Sequence, residues 1–299
     1  MGTTARAPVS ATATARCPSS LEAIVPDGAT RWVIARPRAL FEHPRLGRIM
    51  ARAFDDAGDQ ALFDRARRVG YDVRTIDEAV VAWSARTTWS AGVGTFDARR
   101  IEAMLWERLL PPRGRMERAG VVRVEGTLGR DPVALALWSD CAFAAYGEGP
   151  TSARANEQAL RPRDAAGVTR DAASGAGALL RWHDTTIPAE LDEHAPTALL
   201  EGVHDVEVSA RASERGLVVD ATLEGRLPRD AEVMARRALD EFARGPLGES
   251  VGAPRWARAT DVAITGGESG MALRVEIPWA ALDAMADVLR GRVGESPTR

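Results

Sequence analysis

Apolar and polar positions along this chain follow two periods, and the switches between them divide it into short elements. Trp32-Val33-Ile34-Ala35 is an apolar run bounded by Gly28 and Pro37, which predicts a strand. Leu46, Ile49, Met50 and Phe54 then fall at helical spacing. Leu62, Phe63, Ala66 and Val69 repeat that spacing beyond Gly58, giving two amphipathic helices over 38–70, the second closed by Gly70. Ala79 to Trp83 and Trp89 to Thr95 read as strands. Asp97 is placed to cap a helix with the apolar face Ile101, Met104, Leu105 and Leu109, stopped by Pro111-Pro112. Three strand-like runs follow, Val121–Glu125, Val133–Trp138 and Ala142–Tyr146, spaced by turn residues as in an antiparallel meander.

Residues 150–177 lose this patterning and become rich in Pro, Arg, Asp, Ala, Ser and Gly. They read as a short helix over 152–160 and then a linker. The second half resumes with strands at 206–210 and 217–223 around a turn at Glu214-Arg215-Gly216. Asp230 is placed to cap a helix carrying Met234, Ala238, Leu239 and Phe242. Val262–Ile264 and Met271–Ile277 flank a glycine-rich turn, and Pro278 precedes a last helix with Leu282, Met285, Ala286 and Leu289 on one face.

A unit of strand, turn, strand and helix thus recurs at 79–110, 206–244 and 262–290. A hairpin followed by a helix lays the helix on one face of an antiparallel sheet. The expectation is an α+β protein of antiparallel sheets with helices on one face, in two related halves. The organisation predicted is a disordered leader at 1–22, an α+β domain at 23–165, a linker at 166–178, a second α+β domain at 179–292 and a tail at 293–299. Two origins fit the repeat: an internal duplication, or coincidence in a chain rich in Ala and Arg.

Composition narrows the chemistry. The chain has 299 residues and no lysine, so all 39 basic side chains are arginine. Guanidinium does not deprotonate in proteins, which removes Schiff-base catalysis, the phosphate-loop lysine and the Ser-x-x-Lys pair. Net charge is -3, with arginines interleaved among acids, so nucleic-acid binding is not expected. No run approaches the ~20 apolar residues of a membrane span. The first twenty residues lack the apolar core of a signal peptide. Cys17, followed by small polar residues, is a candidate lipidation site, although Arg16 stands where a small residue is expected. The other cysteine is Cys141, in an apolar run; a Cys17–Cys141 bridge is the alternative use of both.

Few residues offer catalysis. Gly248-Glu249-Ser250-Val251-Gly252 fits G-x-S-x-G, but a helix precedes it, Ala253-Pro254 follows, and no histidine lies downstream. It is read as a glycine-rich loop. His183, His194 and His204 lie among Asp184, Glu190, Asp192, Glu193, Glu201 and Asp205. Imidazole with carboxylate is a metal-ligand set, and a His-Asp pair can orient a general base. One reading is therefore a metal site of His183, His194, His204, Asp184 and Asp205. The plainer one is a polar loop, since adjacent strand residues such as His204 and Asp205 face opposite ways. Trp83, Trp89 and Trp138 line a pocket or fill the core. Trp106, off its helix's apolar face, and Trp256, between Arg255 and Arg258, form a candidate contact patch.

The passages Ala23-Ile24-Val25-Pro26-Asp27 through Trp32-Val33-Ile34, Gly70-Tyr71-Asp72, Ile76-Asp77-Glu78-Ala79-Val80-Val81-Ala82 and Gly94-Thr95-Phe96-Asp97 carry a resemblance. Over residues 23–147 the chain resembles a diffuse group of uncharacterised bacterial envelope proteins, often lipoproteins, of GC-rich, myxobacteria-like genomes. The shared motifs are structural. The resemblance implies a non-catalytic protein of the periplasm or anchored at the outer membrane, with no cofactor. Its partner would be a protein or small-molecule ligand. Without a visible signal peptide, the alternative location is the cytoplasm. The alternative function is a metal-dependent hydrolase built on the histidine cluster.

Overall fold

Hairpins order this fold. The computed structural model describes Leu21 and residues 29–53, 70–84, 88–118, 120–147, 177–186, 197–257, 261–265 and 269–293. Its strands are β1 (Arg31–Ala35), β2 (Tyr71–Trp83), β3 (Thr88–Phe96), β4 (Leu110–Arg118), β5 (Val121–Leu128), β6 (Asp131–Trp138), β7 (Ala142–Gly147), β8 (Leu180–Asp184), β9 (Val203–Ala212), β10 (Gly216–Gly225), β11 (Asp261–Thr265) and β12 (Gly270–Pro278). Its helices are α1 (Pro37–Glu42), α2 (Leu46–Ala53), α3 (Ala98–Arg108), α4 (Thr197–Leu200), α5 (Ala231–Arg244), α6 (Pro246–Ser250), α7 (Ala253–Trp256) and α8 (Trp279–Val293).

All described strands join one 12-stranded sheet in the order β11-β12-β10-β9-β8-β1-β2-β3-β7-β6-β5-β4. Every pairing among the described strands is antiparallel. The two predicted halves therefore share a sheet, joined where β1 pairs with β8 in the register Arg31↔Asp184, Trp32↔His183, Val33↔Trp182. Hairpin–helix order holds at β2–β3–α3, β9–β10–α5 and β11–β12–α8. The predicted linker and the 152–160 helix lie outside the described residues, as do the leader except Leu21 and the second of the predicted helices over 38–70.

Strand residues alternate between faces, and the clusters on each face differ. On one side Leu135, Leu137, Phe96 and Phe143 pack under Ile101 and Leu105 of α3. Val206, Leu223 and Met271 pack under α4 and α5. Val275 and Ile277 pack in a cluster with Ala243 of α5, Val251, Ala253 and Trp256 of α7, and Ala281 and Met285 of α8. Leu217 and Ala212 meet α1, α2 and α8 through Leu40, Leu46, Ile49 and Trp279. Every described helix thus lies on this one face. The opposite face of β1, β2, β3, β6 and β7 is apolar: Trp32, Ile34, Val80, Ala82, Trp89, Ala144 and Trp138 form a cluster that also includes Leu21. Burying one such large side chain contributes about 1.5–3 kcal/mol. Trp89 and Trp138 are accordingly core residues.

Local chemistry explains the element ends. Asp97 accepts a hydrogen bond from the Arg100 amide at the start of α3, as its position predicts. Asp230 precedes α5 but makes no side-chain capping bond. Pro111-Pro112 does not simply stop α3: the helix ends at Arg108 and the prolines enter β4. A proline lacks an amide donor, so a strand at the sheet edge tolerates it. The β4 edge is further studded with Arg113, Arg115, Glu117 and Arg118, charges that oppose strand addition. Arg115 reaches back to Glu102 of α3 at 2.5 Å, and Arg113 lies over the Trp106 ring.

Cys141 follows the turn between β6 and β7, its amide bonded to the Trp138 carbonyl oxygen. It is disulfide-bonded. The chain's other cysteine, Cys17, lies outside the described residues.

Candidate functional site

The seam between β1 and β8 is where the predicted histidine cluster meets the structure. Residues 180–184, read from sequence as polar loop, form strand β8 between β1 and β9. The His183 ring stacks on Trp32, with centroids 5.2 Å apart and planes 22° apart. Its Nδ1 lies 3.3 Å from Asp205 Oδ1 on β9. The Arg181 guanidinium lies over the same Trp32 ring and pairs with Glu207 at 2.7 Å. These residues occupy the face on which no described helix lies, called helix-free below in that sense, because Trp32 and His183 are opposite in register and Arg181 is two residues away.

Asp184 points to the other face. Its carboxylate is fully buried, takes a 2.7 Å bond from Arg31 Nε and accepts from the Thr186 amide and hydroxyl. Burial of a carboxylate is tolerated when it is paired and hydrogen-bonded in this way. His204, next to Asp205 on β9, is exposed and faces away from it. The structure therefore brings His183 and Asp205 together and separates both from Asp184 and His204. His194 lies outside the described residues. Among the described residues, no group of three or more His, Cys, Asp and Glu side chains is placed to hold a metal.

Beyond His183 the helix-free face continues as a charged surface over β9, β10 and β12. Asp220 sits between Arg211 and Arg274, at 3.5 and 3.7 Å. Glu276 takes bonds from Arg215 at 2.9 Å and from the Ser213 hydroxyl at 2.6 Å. Register explains the ladder: Asp220 pairs with Arg274 on one side and Ser209 on the other. Cross-strand neighbours on one face sit close enough to interact. No described helix covers these strands on this side. The helix-free face thus has two chemistries, a tryptophan-rich buried half and an ion-paired half, meeting at Trp32 and His183.

The expected contact patch is corrected in part. Trp256 is buried in the cluster of α5, α7 and α8, with its indole N–H 3.4 Å from the Val251 carbonyl oxygen. Its arginine neighbours in sequence suggested exposure, but α7 turns the ring inward. Trp106 is half-buried beneath Arg113. Ser250 ends the short α6 and is exposed, with no strand before it, in accord with the rejected nucleophile elbow. Sequence reasoning missed the roles of Arg31, Arg181 and Glu207. The alternation of Leu180, Arg181, Trp182 and His183 was the available signal.

No family model matches the chain, and no curated protein matches it. Solved structures do resemble it. The chain is similar to TP0453 in its crystal form III, with a TM-score of 0.52 and 10% identity over 90% of this chain and 97% of that one. Crystal form IV of the same protein gives a TM-score of 0.50 and 9% identity, covering 90% and 95%. At this identity the likeness is one of fold, and it spans nearly the whole of both chains. No described helix is long and apolar enough to cross a membrane.

Proposed function

We propose that this is a non-catalytic protein of the bacterial cell envelope that presents the ion-paired, helix-free face of β9, β10 and β12 to a protein or ligand. The observation that carries the reading is the asymmetry of the sheet. Its helical face is filled by α1 to α8, whereas the other face of these strands bears Arg211, Asp220, Arg274 and Glu276 in ordered pairs. Paired charges on a rigid sheet give orientation and partner selection more than raw affinity. The disulfide state of Cys141 supports an oxidising compartment. The resemblance of residues 23–147 to envelope proteins points the same way.

The two halves fit the reading as copies of one unit. The order β1, α1–α2, β2–β3, α3 would be one copy and the order β8, α4, β9–β10, α5 the other. On this proposal the two units meet where β1 pairs with β8. The test of function is cross-linking from the helix-free face in intact cells, with a partner expected from Thr222 and none from the helical side.

A second reading, a metal-dependent hydrolase, draws on the approach of His183 to Asp205. Metal analysis of the purified protein and of His183→Ala, His194→Ala and His204→Ala variants separates the two. Stoichiometric metal lost in the variants contradicts the non-catalytic reading.

A further inference from the structure

We infer that His43 is an acid-sensitive latch that holds α2 against α8 at neutral pH and lets it go when the ring is protonated. Its place in the chain makes it a helix N-cap. Its backbone is extended, with φ -66° and ψ 126°. Pro44 follows, and the Gly47 amide donates to the His43 carbonyl oxygen at 2.8 Å, the first bond of a helical turn. The amides of Arg45 and Leu46 donate to His43 Nδ1 at 3.3 and 3.2 Å. These are the second and third amides of the turn, the ones an N-cap side chain satisfies. Proline at the first position has no amide to satisfy.

An imidazole caps a helix only as the neutral ring. Nδ1 accepts through its lone pair, which puts the ring hydrogen on Nε2. A proton on Nδ1 turns that acceptor into a donor facing two amide donors. It also sets a positive charge at a helix N-terminus, where the helix dipole opposes it. Imidazole is the side chain whose charge ordinarily changes between about pH 5 and 8. The ring is half-buried, so solvent protons reach it.

The cap governs a docked helix. The His43 ring stacks on Trp279, the first residue of α8, with centroids 5.3 Å apart and planes 29° apart. Leu46 and Trp279 are buried in one cluster, which Ile49 and Leu282 join. An imidazolium is still attracted to an indole face, so protonation leaves the ring on Trp279 and releases the α2 side of the contact. Arg45 already lies over the same indole, 5.9 Å from its centroid, so a second cation there adds repulsion to the lost bonds. Other charges surround this corner. On α1 they are Arg38, paired with Asp77, and Glu42. On α2 Arg48 donates to the Pro44 carbonyl oxygen at 2.9 Å. Asp283 is one turn along α8 from Trp279. Glu214 and Arg215 lie at the β9–β10 turn, where their carbonyl oxygens accept from Trp279.

The test is amide hydrogen exchange of the full chain at about pH 8 and about pH 5, read by mass spectrometry, with each rate divided by its intrinsic value. Peptides covering Leu46–Ala53 are compared with peptides covering Ala231–Arg244 of α5. Protection of α2 is expected to fall about tenfold at the lower pH while that of α5 holds, the size of a lost N-cap with a charge set against the dipole. His43→Asn keeps a cap that does not titrate, so its α2 is expected to hold its protection at both values. The other three histidines remain in that variant, so a step due to any of them persists there. Equal protection of wild-type α2 at both values, an equal fall in α5, or the same fall in His43→Asn overturns the proposal. His43→Asp, a cap that stays ionised over this range, is the second variant should the first not fold, and the same outcomes decide.

Discussion

The imidazole of His183 lies flat on the indole of Trp32, and the contact crosses the seam between β1 and β8. Trp32 is also under Arg181 and inside the apolar cluster of the first half. It should therefore matter more than its partner. Trp32→Ala is expected to cost about 3–5 kcal/mol, the range for a buried aromatic. His183→Ala is expected to cost about 1–2 kcal/mol, since it loses chiefly a ring contact and one polar approach. Urea unfolding checks the order. Equal losses would contradict the role given to Trp32.

On the other face of the same seam, Arg31 holds the buried carboxylate of Asp184. Arg31→Ala leaves that carboxylate with only the Thr186 donors and is expected to cost roughly 2–3 kcal/mol. Asp184→Asn keeps the size and the Thr186 contact, so a smaller loss is expected. The comparison is made by chemical denaturation near neutral pH. A neutral Arg31→Ala variant would show that the Thr186 bonds suffice.

Two glycines test the local backbone. At Gly94 an added Cβ would lie 2.5 Å from the Thr75 carbonyl oxygen and 2.6 Å from Ile76 Cα, backbone that cannot turn aside. Gly94→Ala is expected to cost about 2–3 kcal/mol, as overpacking does. At Gly129 nothing lies within 4 Å, but φ is +69°. There the cost is only that of a left-handed residue, roughly 1–2 kcal/mol. Thermal melts of the two variants should fall in that order.

Much of the fold was legible where one period dominated. Asp97, Ile101 and Leu105 announced α3, and the runs at 121–146 announced β5, β6 and β7. Legibility failed where a strand has a polar side as well as an apolar one. Arg181 and His183 made β8 look like loop, because their partners Trp32, Asp205 and Glu207 come from strands distant in sequence. Pro111-Pro112 hid β4, since proline reads as a stop and only position at a sheet edge makes it acceptable. Trp256 misled for a related reason: flanking arginines describe the chain neighbours, not the direction of the ring. The site was less legible than the fold. Its ion pairs join side chains across strands, and register is not written in any one segment.

The most direct test of the central claim is photo-cross-linking in intact cells. A benzophenone side chain replaces Thr222, which is exposed on the helix-free face of β10, or Arg237, which is exposed on α5. A discrete adduct is expected from Thr222 and none from Arg237. Arg211→Glu with Arg274→Glu should reduce the Thr222 adduct at least tenfold with little loss of stability, since exposed ion pairs contribute only about 0–1 kcal/mol. Adducts of equal yield from both positions, or a Thr222 adduct indifferent to the charge reversal, would contradict the account.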